Sequence, residues 1–301
     1  MGLLILFAVA VVLIVVVGTV ELIHAMLHPP RKSLGFALAQ RLPADPAELG
    51  LQGEEMIFNF RDGSHTIGWR IEGEDPDGPL IIFTHGWASS RYTALPKSAF
   101  LARWASHLVV YDLRGHGDST APISRLGTTE ADDLLLVAEH AGLGDCPVVL
   151  FGSSMGAGVS IVAAARAANS SRVNIAAVIA DGPYRRGMAP IVNHLRCRKY
   201  PHVPFVWLAC AHVAVWVGGF RHFDRCWHAA RLPCPLLVLH GTEDPLCDIE
   251  ESTTIADSAP LGKLVKFDGG GHGNLMQFDE RRYLEAVGSC IEAAGRKEPI
   301  G

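Results

Sequence analysis

Short apolar runs without alternation recur through residues 80–267, and they constrain the fold more than any other feature of the chain. They lie at residues 80–83, 108–111, 148–151, 176–180, 236–239 and 264–267. Continuous apolar character over four to six residues is typical of strands buried on both faces of a parallel sheet. Helix-length segments separate most of the runs, and two further strands, at 55–60 and 66–72, precede them around an Asp62-Gly63 turn. The sequence therefore predicts an α/β fold with a doubly wound, mostly parallel eight-stranded sheet in one domain.

An uncharged apolar segment at residues 3–20 stands ahead of this pattern. As a helix rising 1.5 Å per residue it spans about 27 Å, close to the thickness of a bilayer's hydrocarbon core. No Lys or Arg precedes it, and it is longer than the apolar region of an ordinary signal peptide. We interpret residues 1–28 as a transmembrane anchor. A signal peptide cleaved near the Ala-Leu-Ala triplet at 37–39 and a buried core helix remain as alternatives.

The residues that follow the apolar segment predict its orientation and its end. Pro29 and Pro30 stop the helix, because proline cannot continue one. Arg31 and Lys32 are the first Arg and Lys of the chain, and the positive-inside bias then places the bulk of the protein in the cytoplasm. Residues 29–52 are interpreted as a tether and residues 53–301 as the folded domain.

Composition excludes several classes of protein. The chain of 301 residues is 49% apolar and 19% charged, with no biased tracts, which excludes collagen-like, coiled-coil and disordered proteins. A formal net charge of -5 provides no broad basic surface, so nucleic acid is not an expected partner. Seven cysteines without a CxxC pair predict free thiols in a reducing compartment and no zinc ribbon.

The loop after the run at 148–151 carries the predicted nucleophile. Catalytic groups of open parallel sheets gather at the carboxyl ends of the strands. A Gly-Ser-Ser-Met-Gly segment at 152–156 occupies such a position and opens an Ala-rich helix. Gly152 and Gly156 permit a sharp strand-to-helix turn that exposes the central serine. The segment predicts Ser154 as the nucleophile, with Ser153 pointing away.

His272 and Asp244 are the predicted partners of Ser154. A serine hydroxyl needs a base to take its proton, and His272 lies in a glycine-rich loop just after the last apolar run. Asp244 follows the penultimate run, where its carboxylate would hold the imidazole in one tautomer. Three other carboxylates compete for the role of the acid: Glu243, Asp181 and Asp268.

Backbone N–H groups near the nucleophile are expected to bind the oxyanion of a tetrahedral intermediate. We predict that the N–H of Met155, directly after the nucleophile, and the N–H of Trp87, directly after Gly86, supply this hole. The Trp87 side chain would also wall the pocket. Asp112 and the turn at 114–117 follow another strand, and we assign them to loop architecture.

Five segments in a fixed order carry a family resemblance. They are His-Gly-Trp at 85–87, Asp-Leu-Arg-Gly-His-Gly-Asp-Ser at 112–119, Gly-Ser-Ser-Met-Gly at 152–156, His-Gly-Thr-Glu-Asp-Pro at 240–245 and Gly-His at 271–272. Over about residues 53–295 the chain resembles the α/β-hydrolase superfamily, particularly its esterase, lipase and serine-aminopeptidase-like branch. The resemblance implies serine hydrolase chemistry without a cofactor, and it favours Ser154 over Ser153 as the nucleophile. Dehalogenase and epoxide-hydrolase relatives have Asp at that position, so their chemistry is not expected.

Residues 183–234 form an insertion too long for an ordinary connection between a strand and a helix. In this superfamily such an insertion resembles a cap or lid. Its apolar stretch at 203–220 is interpreted either as a buried cap helix or as a lid that dips into the bilayer surface. A basic cluster flanks the stretch and suits anionic headgroups, although a solvated rim is the alternative: Arg185, Arg186, Arg196, Arg198, Lys199 and Arg221. The histidines of the region match no metal motif, so no metal is predicted.

Three functional hypotheses follow. The first is a single-pass membrane-anchored serine hydrolase that cleaves carboxylic esters or thioesters with an apolar acyl group, with a small-molecule or lipid-like substrate and membrane lipid as its partners. The second is a serine peptidase or amidase on short peptides, for which Asp224 is the one carboxylate of the insertion that could bind an amino terminus. The third is a non-catalytic membrane scaffold that keeps the fold.

Overall fold

The computed structural model describes residues 1–142, 146–168, 173–197, 199, 209 and 224–295. The eight predicted strands are present, and each lies within two residues of its predicted bounds. The strands are β1 (Gly53–Asn59), β2 (His65–Glu72), β3 (Leu80–Thr84), β4 (His107–Tyr111), β5 (Val148–Ser153), β6 (Ile175–Asp181), β7 (Leu236–Gly241) and β8 (Gly262–Phe267).

The strands form one mixed sheet. Their order is β1-β2-β4-β3-β5-β6-β7-β8. β2 pairs antiparallel with both β1 and β4, and every other pair is parallel. The carboxyl ends of β3, β5, β7 and β8 therefore meet at one edge of the sheet, and the loops that leave these ends can place their side chains together.

Helices cover both faces of the sheet, which explains why the apolar runs do not alternate. In β3, Leu80 and Ile82 belong to one buried cluster and Ile81 and Phe83 to the other. The described α-helices are α1 (Gly2–Leu27), α2 (Leu34–Ala39), α3 (Arg91–Ser98), α4 (Thr129–Ala141), α5 (Met155–Ala167), α6 (Met188–Cys197), α7 (Arg225–Ala229), α8 (Ile249–Ser258), α9 (Leu275–Phe278) and α10 (Glu280–Gly295), and short 3-10 helices lie at Pro46–Leu49 and Ala99–Trp104. Helices α4, α5 and α8 cover one face, whereas α3 and α10 cover the other.

Helix α1 is the one described helix that is long and apolar enough to cross a membrane, with a mean hydropathy of 3.3 in its most apolar window. That window has no buried residue, so the alternative of a buried core helix is wrong. The helix has 26 residues and a length of about 39 Å. The end of the helix differs in its burial, because Met26 and Leu27 are buried against the domain.

The segment at 29–52, predicted as a tether, makes specific contacts with the domain. The Arg31 guanidinium donates to the carbonyl oxygens of Ser119 and Ala121. Ala37 on α2 is fully buried in the cluster that covers one face of the sheet. These contacts hold the residues after α1 close to the domain surface.

The described parts of the predicted cap are its two ends. The first end holds α6, and the second holds α7. Arg185 donates to both carboxylate oxygens of Asp224, at 2.8–3.2 Å, and joins the two ends. The apolar stretch at 203–220, apart from Ala209, lies outside the described residues, as do Arg198 and Arg221. The cap-helix and lid interpretations therefore both remain predictions.

Candidate active site

Ser154 occupies the sharp turn between β5 and α5. Its φ of 55° lies in the left-handed region, which costs a residue with a side chain about 1 kcal/mol or more. The flanking glycines are required by close backbone contacts. A Cβ added to Gly152 would lie 2.2 Å from the carbonyl oxygen of Gly156, and one added to Gly156 would lie 2.0 Å from that of Thr84. The turn is therefore the strained elbow that the sequence predicts, with Ser154 at its apex.

One line of hydrogen bonds joins Ser154, His272 and Asp244, although they come from three separate loops. His272 Nε2 lies 3.0 Å from Ser154 Oγ, and His272 Nδ1 lies 2.6 Å from Asp244 Oδ2. An ionised carboxylate can only accept, so Nδ1–H donates to Asp244 and leaves Nε2 free to accept from the serine hydroxyl. The structure thus brings the three predicted residues together in the order that general-base activation of a serine requires.

The surroundings of Asp244 favour its ionised form. Burial alone would raise the pKa of this carboxyl, but the His272 hydrogen bond and two backbone donors outweigh burial and lower it. Those donors are the N–H groups of Leu246 and Cys247, which lie 2.8 and 3.0 Å from Oδ1. An ionised, tightly held Asp244 can orient His272 and stabilise its protonated form.

The rival acids lie elsewhere. Glu243 and Asp268 are exposed on the surface. Asp181 is buried at the end of β6, where its carboxyl accepts a hydrogen bond of 2.8 Å from the Tyr283 hydroxyl, and burial raises its pKa. Its backbone carbonyl accepts from Ser154 N–H at 2.8 Å. Asp181 therefore supports the elbow through its backbone carbonyl, and the carboxylate that hydrogen-bonds His272 is that of Asp244.

The predicted oxyanion loop lies beside the nucleophile. A Cβ added to Gly86 would lie 3.3 Å from Ser154 Cβ, so the backbone that leads to Trp87 passes close to the hydroxyl. Met155 begins α5 directly after Ser154. The Trp87 side chain lines the cavity and is 40% exposed, and its Nε1–H donates to the Met26 carbonyl at 3.1 Å.

A buried histidine fixes this loop. His85 Nδ1 lies 2.8 Å from the Gly86 carbonyl, and its Nε2 accepts from Leu113 N–H at 3.1 Å. These contacts use both ring nitrogens of a neutral imidazole, with Nδ1–H as the donor. Burial lowers the pKa of His85 to about 4. The neutral ring therefore ties the predicted oxyanion loop to the loop after β4.

The loop after β4 is held by a buried ion pair, in agreement with its predicted architectural role. The Asp112 carboxylate accepts from the Arg91 guanidinium and also from two backbone groups, Arg91 N–H at 2.7 Å and Asp118 N–H at 3.0 Å. Asp112 and Arg91 are both almost fully buried. The pair joins the loop to the start of α3 and has no hydrogen bond to Ser154 or His272 among the contacts of the described residues.

A largely apolar cavity of about 820 Å³ opens above Ser154. Part of its wall was not predicted from the sequence, since it comes from the end of α1 through Leu22, Ala25 and Met26. Two lysines, Lys32 and Lys97, also line it. Burial, and then the neighbouring charge of Lys97, lower the pKa of Lys32.

Asp244, Cys247 and His272 offer three possible metal-ligand atoms within 4.8 Å of one another. A cysteine binds metal as its thiolate. Burial, and then the nearby Asp244 charge, raise the pKa of the Cys247 thiol, which keeps the thiol protonated. The set therefore fits the hydrogen-bonded His272–Asp244 pair better than a metal centre.

Comparison with known proteins agrees with this geometry. The alpha/beta hydrolase family model matches residues 81–286. Protein ABHD12B of Homo sapiens is 26% identical over 213 residues, which cover 66% of this chain and 56% of that protein. Lysophosphatidylserine lipase ABHD12 of Rattus norvegicus is 28% identical over 183 residues, which cover 59% of this chain and 44% of that protein. The chain thus spans about half the length of these curated relatives.

Solved structures share the fold at low sequence identity. The Pyrococcus furiosus esterase Pf2001 aligns with a TM-score of 0.69 and 20% identity, over 89% of this chain and 97% of that one. A thermophilic esterase from Thermogutta terrifontis aligns with a TM-score of 0.58 and 21% identity, over 81% of this chain and 100% of that one.

Proposed function

Because the chain belongs to the alpha/beta hydrolase family, we propose that it is a membrane-anchored serine hydrolase that cleaves carboxylic esters or thioesters of lipid-like molecules. The observation that carries the proposal is the continuous hydrogen-bonded line from Ser154 through His272 to Asp244, at the floor of a largely apolar cavity. Apolar walls match an acyl chain, and the line of donors and acceptors matches acyl transfer to a hydroxyl.

In the proposed reaction the Ser154 hydroxyl attacks the carbonyl carbon of the substrate. His272 Nε2 takes the hydroxyl proton and then gives it to the leaving alcohol or thiol. The acyl group stays on Ser154 as an ester, and a water molecule, deprotonated by the same imidazole, releases it as a carboxylic acid. The N–H groups of Met155 and Trp87 hold the negative oxygen in each tetrahedral intermediate.

The cavity walls support a proposal for the substrate class. Lys32 and Lys97 place positive charge on a cavity that is otherwise largely apolar, so we propose an acyl ester that carries an anionic group. The name of the rat relative, a lysophosphatidylserine lipase, describes such a molecule. We further propose that α1 crosses the membrane and that the domain lies on the cytoplasmic side, as the basic residues after the helix predict.

The peptidase hypothesis has lost its one supporting residue. Asp224 would have to bind the amino terminus of a peptide, but its carboxylate already accepts from Arg185. Asp224 is also absent from the residues that line the cavity, and the described part of the insertion places no Asp or Glu there. The scaffold hypothesis is disfavoured by a nucleophile, base and acid within hydrogen-bonding distance.

A comparison of two substrate classes tests the proposal. Purified full-length protein in detergent micelles would be assayed with p-nitrophenyl acyl esters and with aminoacyl p-nitroanilides. We expect turnover of the esters and little turnover of the anilides. Faster hydrolysis of the anilides would favour the peptidase hypothesis. Absence of reaction with every ester, thioester and anilide would favour the scaffold hypothesis.

A further inference from the structure

We propose that the end of the membrane helix is itself part of the substrate site, and that Leu22, Ala25 and Met26 on α1 set the acyl chains that the enzyme accepts. The inference rests on the proposed ester-hydrolase function and assigns the membrane segment a role in it beyond anchoring. Residues of an anchor that only tethered a domain would have no place in the wall of its catalytic cavity.

The end of α1 is fixed to the domain by polar contacts at two positions. The Met26 carbonyl accepts from Trp87 Nε1–H at 3.1 Å, and the Leu27 carbonyl accepts from Ser124 N–H at 2.8 Å. Both carbonyls belong to the last turn of the helix, where the backbone lacks partners within the helix. The domain supplies the missing donors, and one of them is the side chain of a predicted oxyanion residue.

Apolar packing adds to these hydrogen bonds. Met26, Leu27 and Leu126 form a small buried cluster, and Ile191 on α6 packs against it. The cluster joins the membrane helix to the first helix of the predicted cap. Because α1 contacts the oxyanion loop and α6 together, its last turns hold a definite position over the cavity.

Only one face of the helix end lines the cavity. Ala25 and Met26 lie three and four residues after Leu22, so both neighbour Leu22 on the same side of the helix. Val20 is exposed and is absent from the lining residues of the cavity. The chain therefore offers a control position within the same helix.

The length of α1 places this face at the membrane surface. A helix of 26 residues is about 39 Å long, whereas the hydrocarbon core is about 30 Å thick. About six residues therefore extend beyond the core, which matches the docked end at residues 22–27. An acyl chain can pass along the cavity-facing side of α1 from the bilayer toward Ser154 without crossing water, so its transfer avoids the cost of exposing apolar surface.

Ala25 is the position at which the inference is most sharply tested. It is the smallest of the three helix residues that line the cavity, so a larger side chain there takes space directly from the acyl site. The experiment compares full-length wild type, Ala25→Trp and Val20→Trp in detergent micelles. The readout is the ratio of kcat/KM for p-nitrophenyl dodecanoate to that for p-nitrophenyl acetate.

We expect Ala25→Trp to lower this ratio about tenfold or more, because losing room for even a few methylenes in an apolar pocket has an effect of that size. Val20→Trp should keep the wild-type ratio. Equal ratios in wild type and Ala25→Trp would overturn the inference while leaving the hydrolase proposal intact. Absence of ester hydrolysis by wild type would overturn both proposals.

Labelling with a fluorophosphonate shows whether each variant still has an assembled active site. If Ala25→Trp is not labelled, the smaller Ala25→Leu takes its place, and the same comparison of ratios applies. A variant that is labelled like wild type and still shows the wild-type ratio contradicts the inference.

Discussion

The floor and the wall of the catalytic cavity are built in different ways. The floor consists of three residues from loops that follow three different strands: Ser154, His272 and Asp244. Hydrogen bonds of 2.6 and 3.0 Å connect their side chains. The wall on the α1 side comes from a helix outside the sheet, held by two backbone carbonyl contacts and a small apolar cluster. If both proposals hold, the sheet edge determines the reaction and the surrounding helices determine the substrate.

The largest effect that this comparison predicts is at the floor. Ser154→Ala should lower kcat by about 10⁴-fold or more on every ester, because the Ser154 hydroxyl is the one that lies 3.0 Å from His272 Nε2 among the described residues. Ser153→Ala is the matched control one residue away and should lose far less. Steady-state hydrolysis of a p-nitrophenyl ester measures both. If Ser154→Ala were as active as wild type, Ser154 would not be the nucleophile, and the floor would not carry the reaction.

A second floor substitution tests the orientation of the base. Asp244→Asn keeps the size of the side chain but removes the negative charge that selects the Nδ1–H tautomer of His272. We expect kcat to fall by about 10³- to 10⁴-fold with little change in KM. Asp181→Asn is the control carboxylate, since Asp181 contacts Tyr283 instead. A larger kcat loss in Asp181→Asn than in Asp244→Asn would show that Asp181, and not Asp244, is the acid that orients His272.

The structural support of the floor should be sensitive to acid. The folded state lowers the pKa of His85 from 6.5 to about 4, so its neutral ring contributes stability that is fully present above pH 6.5 and is lost as pH falls toward 4. By pH 5 the loss from this residue is about 2 kcal/mol. His116 and His240 are also buried with lowered pKa values and act in the same direction.

The measurement for His85 is the thermal midpoint of unfolding in micelles at pH 7 and pH 5. The Tm of wild type should fall further between pH 7 and pH 5 than the Tm of His85→Gln, because the glutamine amide stays neutral at both pH values. An identical loss in the two proteins would show that His85 does not carry this part of the pH dependence.

The smallest predicted effect lies on the charged part of the wall. Lys97→Gln should raise KM for an anionic acyl ester by no more than about fivefold, because an exposed charge pair contributes about 1 kcal/mol or less. KM for a neutral ester of the same chain length should stay unchanged. Lys263→Gln, an exposed lysine away from the cavity, is the control. Equal changes for both esters would show that Lys97 does not recognise charge.

The difference between floor and wall also explains what the sequence could predict. Strands β3 to β8 were found from apolar runs, because a strand buried in a parallel sheet needs apolar side chains on both faces. The antiparallel strands β1 and β2 were found from the Asp62-Gly63 turn between them. Ser154, Asp244 and His272 were identified from their positions just after the buried parallel strands. The antiparallel placement of β2 beside β4 and the docking of Met26 onto Trp87 depend on long-range contacts that leave no periodic trace.

Covalent labelling of the full-length protein tests the central proposal most directly. The protein would be treated with a fluorophosphonate, digested, and analysed by mass spectrometry, alongside the His272→Ala variant. We predict one phosphonyl adduct on Ser154 in wild type and a strongly reduced adduct in His272→Ala, because the imidazole activates the hydroxyl. An adduct on Ser153, or equal labelling of Ser154 with and without His272, would contradict the account.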